Sequence, residues 1–204
     1  MSPIQVSLIA EGLLDEQVLR QLIVRSAPHL QAGVCYGKRG RDWLKDNLVK
    51  FNHAAQSWPY VSLADLEQEE CPPTLLQLWL PHGIHQNMRP RIAVRMVESW
   101  LMADREACAD FLRIPLHHVP QSPDDETNPK QIMVNMARRS RSRTIRDDMA
   151  LAPNSTGTVG KNYRGQLEQF AVHHWDPERA QTYSPSLQRA IRSLEQFHPV
   201  LPGN

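Results

Sequence analysis

Acidic residues follow three short apolar segments in the first half of the chain. They are Glu11, then Asp65 with Glu67, and finally Glu98. If the three segments are parallel strands of one sheet, their carboxyl ends meet at a single edge and the acids converge there. A cluster of carboxylates is a hard-oxygen site that suits Mg²⁺ or Mn²⁺. A metal ion held there would activate water and neutralise the charge that develops on a phosphate.

The same acids also have a purely structural interpretation. Acidic residues after strands often cap the following helix, and Asp15 or Asp104 need be no more than such caps. A single acid of this kind is a weak sign of a metal ligand, whereas three at successive strand ends favour a shared site. The sequence leaves both interpretations open.

Two groups of basic residues are candidates for phosphate contacts. The first follows the second predicted strand and consists of Lys38, Arg39 and Arg41. The second is the strongest local charge run, with five arginines: Arg138, Arg139, Arg141, Arg143 and Arg146. Interleaved serines would let this run follow a nucleic-acid backbone, although it contains no aromatic side chain to stack on a base. A solvated loop, or a surface that faces a protein partner, explains the run equally well.

Lys161 belongs to a glycine-containing segment, residues 157–161, that superficially resembles a phosphate loop. The segment lacks the Walker spacing and a clear preceding strand, so we predict a loop in which Lys161 adds one phosphate contact. The sequence offers no serine in a nucleophile-elbow context and no histidine pair with the spacing of a zinc hydrolase. Its three cysteines contain no Cys-x-x-Cys pair.

The composition of the 204 residues indicates an ordered globular protein, since 41% are hydrophobic and 22% are charged. The 23 lysines and arginines nearly balance the 22 acids, and the net charge of +1 excludes a protein that coats nucleic acid by overall charge. Any binding to nucleic acid must therefore come from a local patch. The sequence shows no signal peptide and no apolar run of roughly 20 residues, so we expect a cytoplasmic protein that does not enter a membrane.

The first half of the chain alternates between strand and helix patterns, as convergence of the acids requires. Apolar runs predict four strands, at residues 4–10, 33–36, 60–64 and 91–97. Helical spacing of apolar residues predicts helices at residues 15–25, 41–51 and 72–80, and a further helix from Glu98. This alternating order predicts an α/β fold, with a parallel sheet that has helices on both faces.

From about residue 114 the pattern changes to proline and polar residues followed by helices. Apolar spacing predicts helices around residues 132–139 and from Tyr163 onward. The last helix begins with Ser184 as its N-cap and Pro185 as its first residue, and carries an apolar stripe that we expect to pack on the core. We therefore expect an α/β core at residues 1–113 and a mainly helical C-terminal region, residues 114–204, packed on it.

Several of these motifs resemble one family. Glu11-Gly12 followed by Asp15-Glu16, and the later pair Asp65-Leu66-Glu67, resemble the Toprim domain of topoisomerases, primases and overcoming-lysogenization-type nucleases. The chain is similar in particular to a bacterial Toprim-like family of unknown function, and four segments carry this resemblance in order: residues 91–104, 137–140, 175–177 and 184–187. The resemblance spans nearly the whole chain. It departs from the Toprim pattern at the second motif, which is usually Asp-x-Asp.

The resemblance implies a Toprim-like Rossmannoid sheet and a Mg²⁺- or Mn²⁺-dependent nuclease that hydrolyses phosphodiester bonds. It gives Glu11 the role of a general acid or base, or of a metal ligand, and it gives Asp65 and Glu67 the role of metal ligands. Glu98 has no counterpart in the minimal motif, so its catalytic role rests on its place after the fourth predicted strand. The resemblance also implies a partnership with an ABC-type ATPase in phage-defence modules.

Two other functions fit the same sequence. A Toprim-shaped subunit with a degraded acidic site would regulate an ATPase without catalysis, and small nucleotides could replace nucleic acid as the substrate of a phosphate-ester hydrolase. A nuclease needs a divalent metal and loses activity in Glu11→Gln, whereas a regulatory subunit forms a stable complex and needs no metal. The residues fit DNA and RNA alike, endonuclease or exonuclease action, and a monomer or a dimer.

Overall fold

Four strands form one sheet in the computed structural model of the protein, which describes residues 2–151 and 157–201. They are β1 (Ile4–Ala10), β2 (Leu30–Gly37), β3 (Tyr60–Asp65) and β4 (Met88–Ala93), in the spatial order β2-β1-β3-β4. All three neighbouring pairs are parallel. The predicted α/β fold with a parallel sheet is confirmed.

Helices flank the sheet and make up most of the C-terminal region. In the described part of the chain they are α1 (Leu13–Ser26), α2 (Arg41–Ala54), α3 (Pro72–Trp79), α4 (Val97–Ala103), α5 (Arg105–Leu112), α6 (Pro129–Arg138), α7 (Arg143–Met149), α8 (Tyr163–His173), α9 (Pro177–Ala180) and α10 (Pro185–Glu195). Among the helices so described, none is long and apolar enough to span a membrane.

The two faces of the sheet pack against different helices, because successive side chains of a strand point to opposite faces. Val6 and Leu8 of β1 belong to a buried cluster that also contains residues of α1, α4 and the C-terminal helices. Ile9, which follows Leu8 and points to the opposite face of the sheet, belongs to a second cluster built with α2, α3 and β4. The first cluster is continuous from the sheet to α10, so the C-terminal helices share the core of the strands.

The last helix begins as the sequence predicts. The Ser184 side chain accepts a hydrogen bond from the Leu187 amide at 3.2 Å, and Pro185 is the first helical residue. The expected apolar stripe is buried: Leu187, Ala190, Ile191 and Leu194. Because this stripe faces the common core, α10 fixes the C-terminal region on the α/β part of the protein.

Asp104, which the sequence presented as a possible helix cap, has a different role. It lies between α4 and α5 and makes no capping hydrogen bond with its side chain. Its buried carboxylate instead accepts two hydrogen bonds from Arg179, at 3.0 and 2.7 Å, and one from the Asp176 amide at 2.8 Å. Asp104 therefore anchors α9 to the end of α4, because a bidentate guanidinium–carboxylate contact fixes both position and orientation.

The bounds of two strands differ from those predicted. β2 extends the predicted residues 33–36 at both ends, and its outer position leaves alternate residues exposed, which weakens its apolar signal. β4 covers residues 88–93 rather than 91–97, and the chain leaves the sheet before Val94. The early part of β4 contains Pro90 and two arginines, and this composition does not predict a strand from the sequence. Pro90 is compatible with β4 because β4 is an edge strand.

Candidate active site

The carboxyl ends of β1 and β3 and the beginning of α4 enclose a cavity of about 510 Å³. We call it the acidic cavity. Five carboxylates line it: Glu11, Asp15, Asp65, Glu67 and Glu98. This is the edge of a parallel sheet at which ligands ordinarily bind. The structure thus brings together all four acids that the sequence singled out at the strand ends.

Glu11 and Asp65 tie the ends of the two central strands to each other. Glu11 directly follows β1, and its Oε1 accepts a hydrogen bond from the Asp65 amide at 3.1 Å. Asp65 is the last residue of β3, and its Oδ1 accepts a hydrogen bond from the Val97 amide at 2.8 Å. Since Val97 begins α4, the Asp65 carboxylate also holds the start of that helix against the cavity.

Glu98 reaches the cavity by another route than the one predicted. β4 ends at Ala93, so Glu98 is the second residue of α4 and does not directly follow a strand. Its side chain is buried, and the Tyr163 hydroxyl donates a hydrogen bond to Glu98 Oε1 at 3.1 Å. Helix α8, which begins at Tyr163, therefore contributes directly to the position of this carboxylate.

Glu67 lies at the rim of the cavity, in a more open position than Asp65. Its side chain is 43% exposed, and its backbone adopts a positive φ of 53°. Glu67 Oε2 lies 3.5 Å from Arg41 Nε. The Asp65-x-Glu67 pair therefore supplies one buried carboxylate and one that remains accessible to solvent.

Asp15 also lines this cavity, although in the sequence it is no more than a possible helix cap. It lies in the first turn of α1, four residues after Glu11, and only 8% of it is exposed. Glu11 precedes the helix and Asp15 lies in its first turn, and both carboxylates line the cavity. In the sequence, helix capping accounts for Asp15 fully, and only the tertiary structure shows that its carboxylate lines the cavity.

Burial and mutual repulsion raise the pKa values of the cavity acids. Burial, with a contribution from Asp15, raises the pKa of Glu11 from 4.5 to about 7. Burial and the Glu98 charge raise the pKa of Asp15 from 3.8 to about 6. The pKa of Asp65 is raised well above 3.8 by burial and the neighbouring acids, and burial raises that of Glu98. Ionising all four carboxyl groups together therefore costs free energy that a bound cation would offset.

Three cations also line the cavity: Lys130, Lys161 and Arg164. Lys130 lies in the first turn of α6, and Arg164 in the first turn of α8. Lys161 comes from the loop that precedes α8, as the sequence predicted for residues 157–161. The sequence singled out Lys161 but missed Lys130, Arg164 and Tyr163, because nothing local marks residues that a distant part of the chain brings to the cavity.

The basic residues after β2 mostly pair with acids or aromatic rings. Lys38 Nζ lies 3.0 Å from Glu16 Oε2, outside the cavity lining. The Arg39 guanidinium lies 6.0 Å from the centre of the Trp43 ring. Arg41 is bound at the rim of the cavity: it lies 3.9 Å from Glu11 Oε1, donates to the Asp65 carbonyl oxygen, and stacks 5.0 Å from the Trp79 ring. Of these three, Arg41 is the one beside the acids.

The arginine run lies outside the cavity lining. None of Arg138, Arg139, Arg141, Arg143 and Arg146 contributes to it. Several make local contacts instead: Arg143 Nε lies 3.3 Å from Asp147 Oδ2, and Arg138 Nη1 donates to Asn135 Oδ1 at 3.2 Å. A nucleic acid that contacted both the cavity and this run would have to extend beyond the cavity.

The donor set of the cavity fits a hard divalent cation. All five acidic donors are carboxylates, the oxygen ligands that Mg²⁺ and Mn²⁺ prefer, and three of them, Asp15, Asp65 and Glu98, are buried. Across residues 2–151 and 157–201, no group of three or more His, Cys, Asp or Glu side chains is already gathered closely around one metal position. Binding an ion would thus require the carboxylates to draw together.

Comparison of the chain with models of protein families, with curated proteins and with solved structures finds no match.

Proposed function

We propose that the protein is a Toprim-like phosphodiesterase that hydrolyses nucleic acid with Mg²⁺ or Mn²⁺. The observation that carries this proposal is the acidic cavity, which five carboxylates at the ends of β1 and β3 and in α1 and α4 line together with three cations from the C-terminal region. A divalent metal fits the acids, and a phosphate fits the three cations. The positions of Glu11-Gly12 after β1 and Asp65-x-Glu67 at the end of β3 support the Toprim resemblance.

Asp65 and Glu67 are the residues that would hold the metal, together with Glu11. A bound ion would supply water activation and neutralise charge on the phosphate. Asp15 and Glu98 add negative charge beside these ligands, and Glu98 keeps its orientation through Tyr163. The departure from the usual Asp-x-Asp pattern places the longer Glu67 side chain at the rim, where it would have to leave Arg41 to reach a metal in the cavity.

Glu11 is suited to proton transfer. General acids and bases work best when their pKa lies close to the working pH, and burial brings the pKa of Glu11 to about 7. The carboxyl group is bound to the Asp65 amide through Oε1, which leaves Oε2 for a water molecule or a leaving group. Lys130, Lys161 and Arg164 would orient the phosphate against these acids.

A non-catalytic role is the second candidate. Arg41 lies at the rim of the cavity near Glu11, Glu67 and Glu69, where it partly neutralises the acids without a metal. The arginine run lies apart from the cavity and would then face a protein partner. In this alternative the chain is an interaction subunit of an ABC-type ATPase in a phage-defence module.

Cleavage assays separate the two candidates. Purified protein is incubated with labelled single- and double-stranded DNA and RNA in Mg²⁺, Mn²⁺ or EDTA. The proposed enzyme cleaves at least one substrate with Mg²⁺ or Mn²⁺ and none with EDTA. Glu11→Gln lowers the cleavage rate by about 10²–10⁴-fold. Glu70→Gln is the matched control, because Glu70 is exposed on the loop after β3 and does not line the cavity. Absence of cleavage, together with a stable complex with an ATPase, favours the interaction subunit.

A further inference from the structure

A second cavity, of about 770 Å³, lies along the open edge of β4 between α3 and α10. We call it the edge groove. It shares no lining residue with the acidic cavity. Its volume is within the range of pockets that hold small organic ligands. Nothing in the proposed phosphodiesterase chemistry uses this groove.

The backbone of β4 makes the groove a poor place to add a further strand. The Asn87 and Ala93 carbonyl groups accept hydrogen bonds from β3-side amides, each at 2.9 Å, so odd-numbered residues of β4 face β3. By alternation, the peptide groups of Pro90 and Ile92 face the groove. Pro90 has no N–H to donate, and proline on an edge strand blocks pairing with another chain. The edge therefore favours a small molecule over an extended peptide.

The walls of the groove are mainly apolar. Leu76 of α3, Ile84 and Ile92 line it, and Ile84 is 44% exposed although it is a large apolar residue. The lining contains two charged side chains, Arg91 and Arg189, and no acid. An apolar body would bury these side chains, and a negative charge on that body would complement the two arginines.

Arg91 is the strongest sign of an anionic ligand. Its Nε atom is buried and has no hydrogen-bond partner in the described part of the chain, and no ion pair there involves Arg91. Burial lowers the pKa of Arg91 to about 10, with a contribution from Arg89, so the guanidinium is still charged at neutral pH. A largely buried guanidinium without an acidic partner is costly, and an anion in the groove that pairs with it relieves this cost.

We propose that the edge groove binds a small organic anion, with an apolar body against Leu76, Ile84 and Ile92 and one acidic group on Arg91. Arg189, which is exposed on α10, provides the second positive charge at the mouth of the groove. The acidic group is a carboxylate, phosphate or sulfonate, since each presents the oxygen acceptors that a guanidinium binds.

Two fluorescent probes that share one ring system test this proposal. 8-Anilinonaphthalene-1-sulfonate carries the acidic group, and N-phenyl-1-naphthylamine lacks it. We expect the intact protein to bind one equivalent of the sulfonate. Decanoate should displace the bound sulfonate, and decanol should not. Arg91→Met keeps the apolar stem of the side chain and should weaken sulfonate binding by about tenfold or more, with little effect on the neutral probe.

Arg189→Met provides a second variant that leaves the core intact, because Arg189 is exposed, and it should also weaken the sulfonate selectively. Arg192→Met, on the same helix but outside the groove, is the matched control and should bind as the unaltered protein does. The proposal is overturned if the unaltered protein binds no stoichiometric sulfonate. It is also overturned if both Arg91→Met and Arg189→Met bind the sulfonate normally, or if Arg192→Met weakens it equally. Displacement of the probe by an acidic peptide but not by decanoate would assign the groove to a protein partner instead.

Discussion

Glu11 lies where the first strand ends, and burial beside Asp15 changes what its carboxyl group can do. At neutral pH this group is close to half ionised, because burial and the Asp15 charge bring its pKa to about 7. Glu16, one residue after Asp15, behaves in the opposite way: burial raises its pKa, but hydrogen bonds from Lys38 and Arg20 lower the net value. Asp15 and Glu16 are neighbours in α1, but their pKa values shift in opposite directions because Glu16 is paired with Lys38 and Arg20.

The raised pKa values make the stability of the metal-free protein depend on pH. A carboxyl group whose pKa is higher in the folded than in the unfolded state stabilises the fold at low pH, and this stabilisation is lost as pH rises through the folded pKa. For Glu11 the loss lies between about pH 4.5 and pH 7. We expect the free energy of unfolding in EDTA to fall by roughly 1–3 kcal/mol across this window through Glu11 alone.

Urea denaturation at a series of pH values measures this dependence. Glu11→Gln should flatten it, because the amide does not titrate, whereas the exposed Glu70→Gln should leave it unchanged. A saturating concentration of Mg²⁺ should also flatten it, since the ion favours the ionised carboxylates. An unaltered pH dependence in Glu11→Gln would show that the Glu11 carboxyl group is not perturbed by burial.

At the scale of the elements, helix α8 completes a site whose acids come from the first half of the chain. It supplies the Tyr163 hydroxyl to Glu98 and the Arg164 cation to the cavity, and the loop before it supplies Lys161. Gly160 fixes that loop, because a Cβ atom there would clash with the Asp148 carbonyl oxygen. The helix also buries Phe170 and Leu167 in the core that it shares with α1.

Tyr163→Phe tests the contact between α8 and Glu98. The change removes the hydroxyl donor and leaves a buried carboxyl oxygen without its partner, which should cost about 1–3 kcal/mol of unfolding free energy. It should also slow metal-dependent cleavage, because Glu98 loses its orientation. Tyr183→Phe is the matched control, since Tyr183 is 41% exposed and should tolerate the change in both measurements. If Tyr163→Phe has the stability and cleavage rate of the unaltered protein, the Tyr163 hydroxyl group does not support Glu98.

Helix α10 makes a purely structural contribution, and Leu187→Ala measures it. Leu187 is fully buried, so the substitution leaves a cavity in the core and should cost about 2–5 kcal/mol on chemical denaturation. Gln188→Ala, at the next and exposed position, should change the stability by no more than about 0.5 kcal/mol. A negligible cost for Leu187→Ala would mean that the C-terminal region does not depend on this packing.

Elements with strong local signals were predictable from the sequence, and contacts between distant elements were not. The run Ile4–Ala10 gave the exact bounds of β1 because it is a buried apolar stretch that ends at Glu11-Gly12. The predicted range of β4 lies too far along the chain, because Pro90 and its flanking arginines are not typical of a strand. The sequence predicted Glu98 at the site because it follows the predicted fourth strand. In the structure Glu98 reaches the cavity from α4. Lys130 and Arg164 had no local signal, since only tertiary packing brings α6 and α8 to the sheet edge.

At the scale of the whole molecule, a net charge of +1 hides a separation of charge. The acids of the sheet edge and three cations from the C-terminal region line the acidic cavity, while the arginine run of residues 138–146 lies outside it. A nucleic acid bound in the cavity would contact Lys130 and Lys161 first, and the arginines would contact only a substrate long enough to extend past the cavity.

The salt dependence of oligonucleotide binding separates these two groups. Each lost phosphate contact should flatten the slope of log affinity against log salt by about 0.7–0.9. We expect the double variant Lys130→Ala/Lys161→Ala to flatten the slope by the amount that corresponds to about two lost phosphate contacts. This change should be the same with short and long oligonucleotides. Arg141→Ala/Arg143→Ala should flatten it with long ones alone. Fluorescence anisotropy measures both. An unchanged slope for the arginine variant at every length, with loss of a protein partner, would assign the run to that partner.

Binding of Mn²⁺ tests the assignment of the acidic cavity most directly. Electron paramagnetic resonance counts free Mn²⁺ in a titration of the purified protein, of Asp65→Asn, and of Asp46→Asn as an exposed control of the same chemistry. We predict at least one Mn²⁺ bound by the unaltered protein and by Asp46→Asn, and affinity weakened by about tenfold or more in Asp65→Asn, because Asp65 is the buried carboxylate at the end of β3. No bound Mn²⁺, or equal binding by Asp65→Asn, would contradict a metal-dependent site in this cavity.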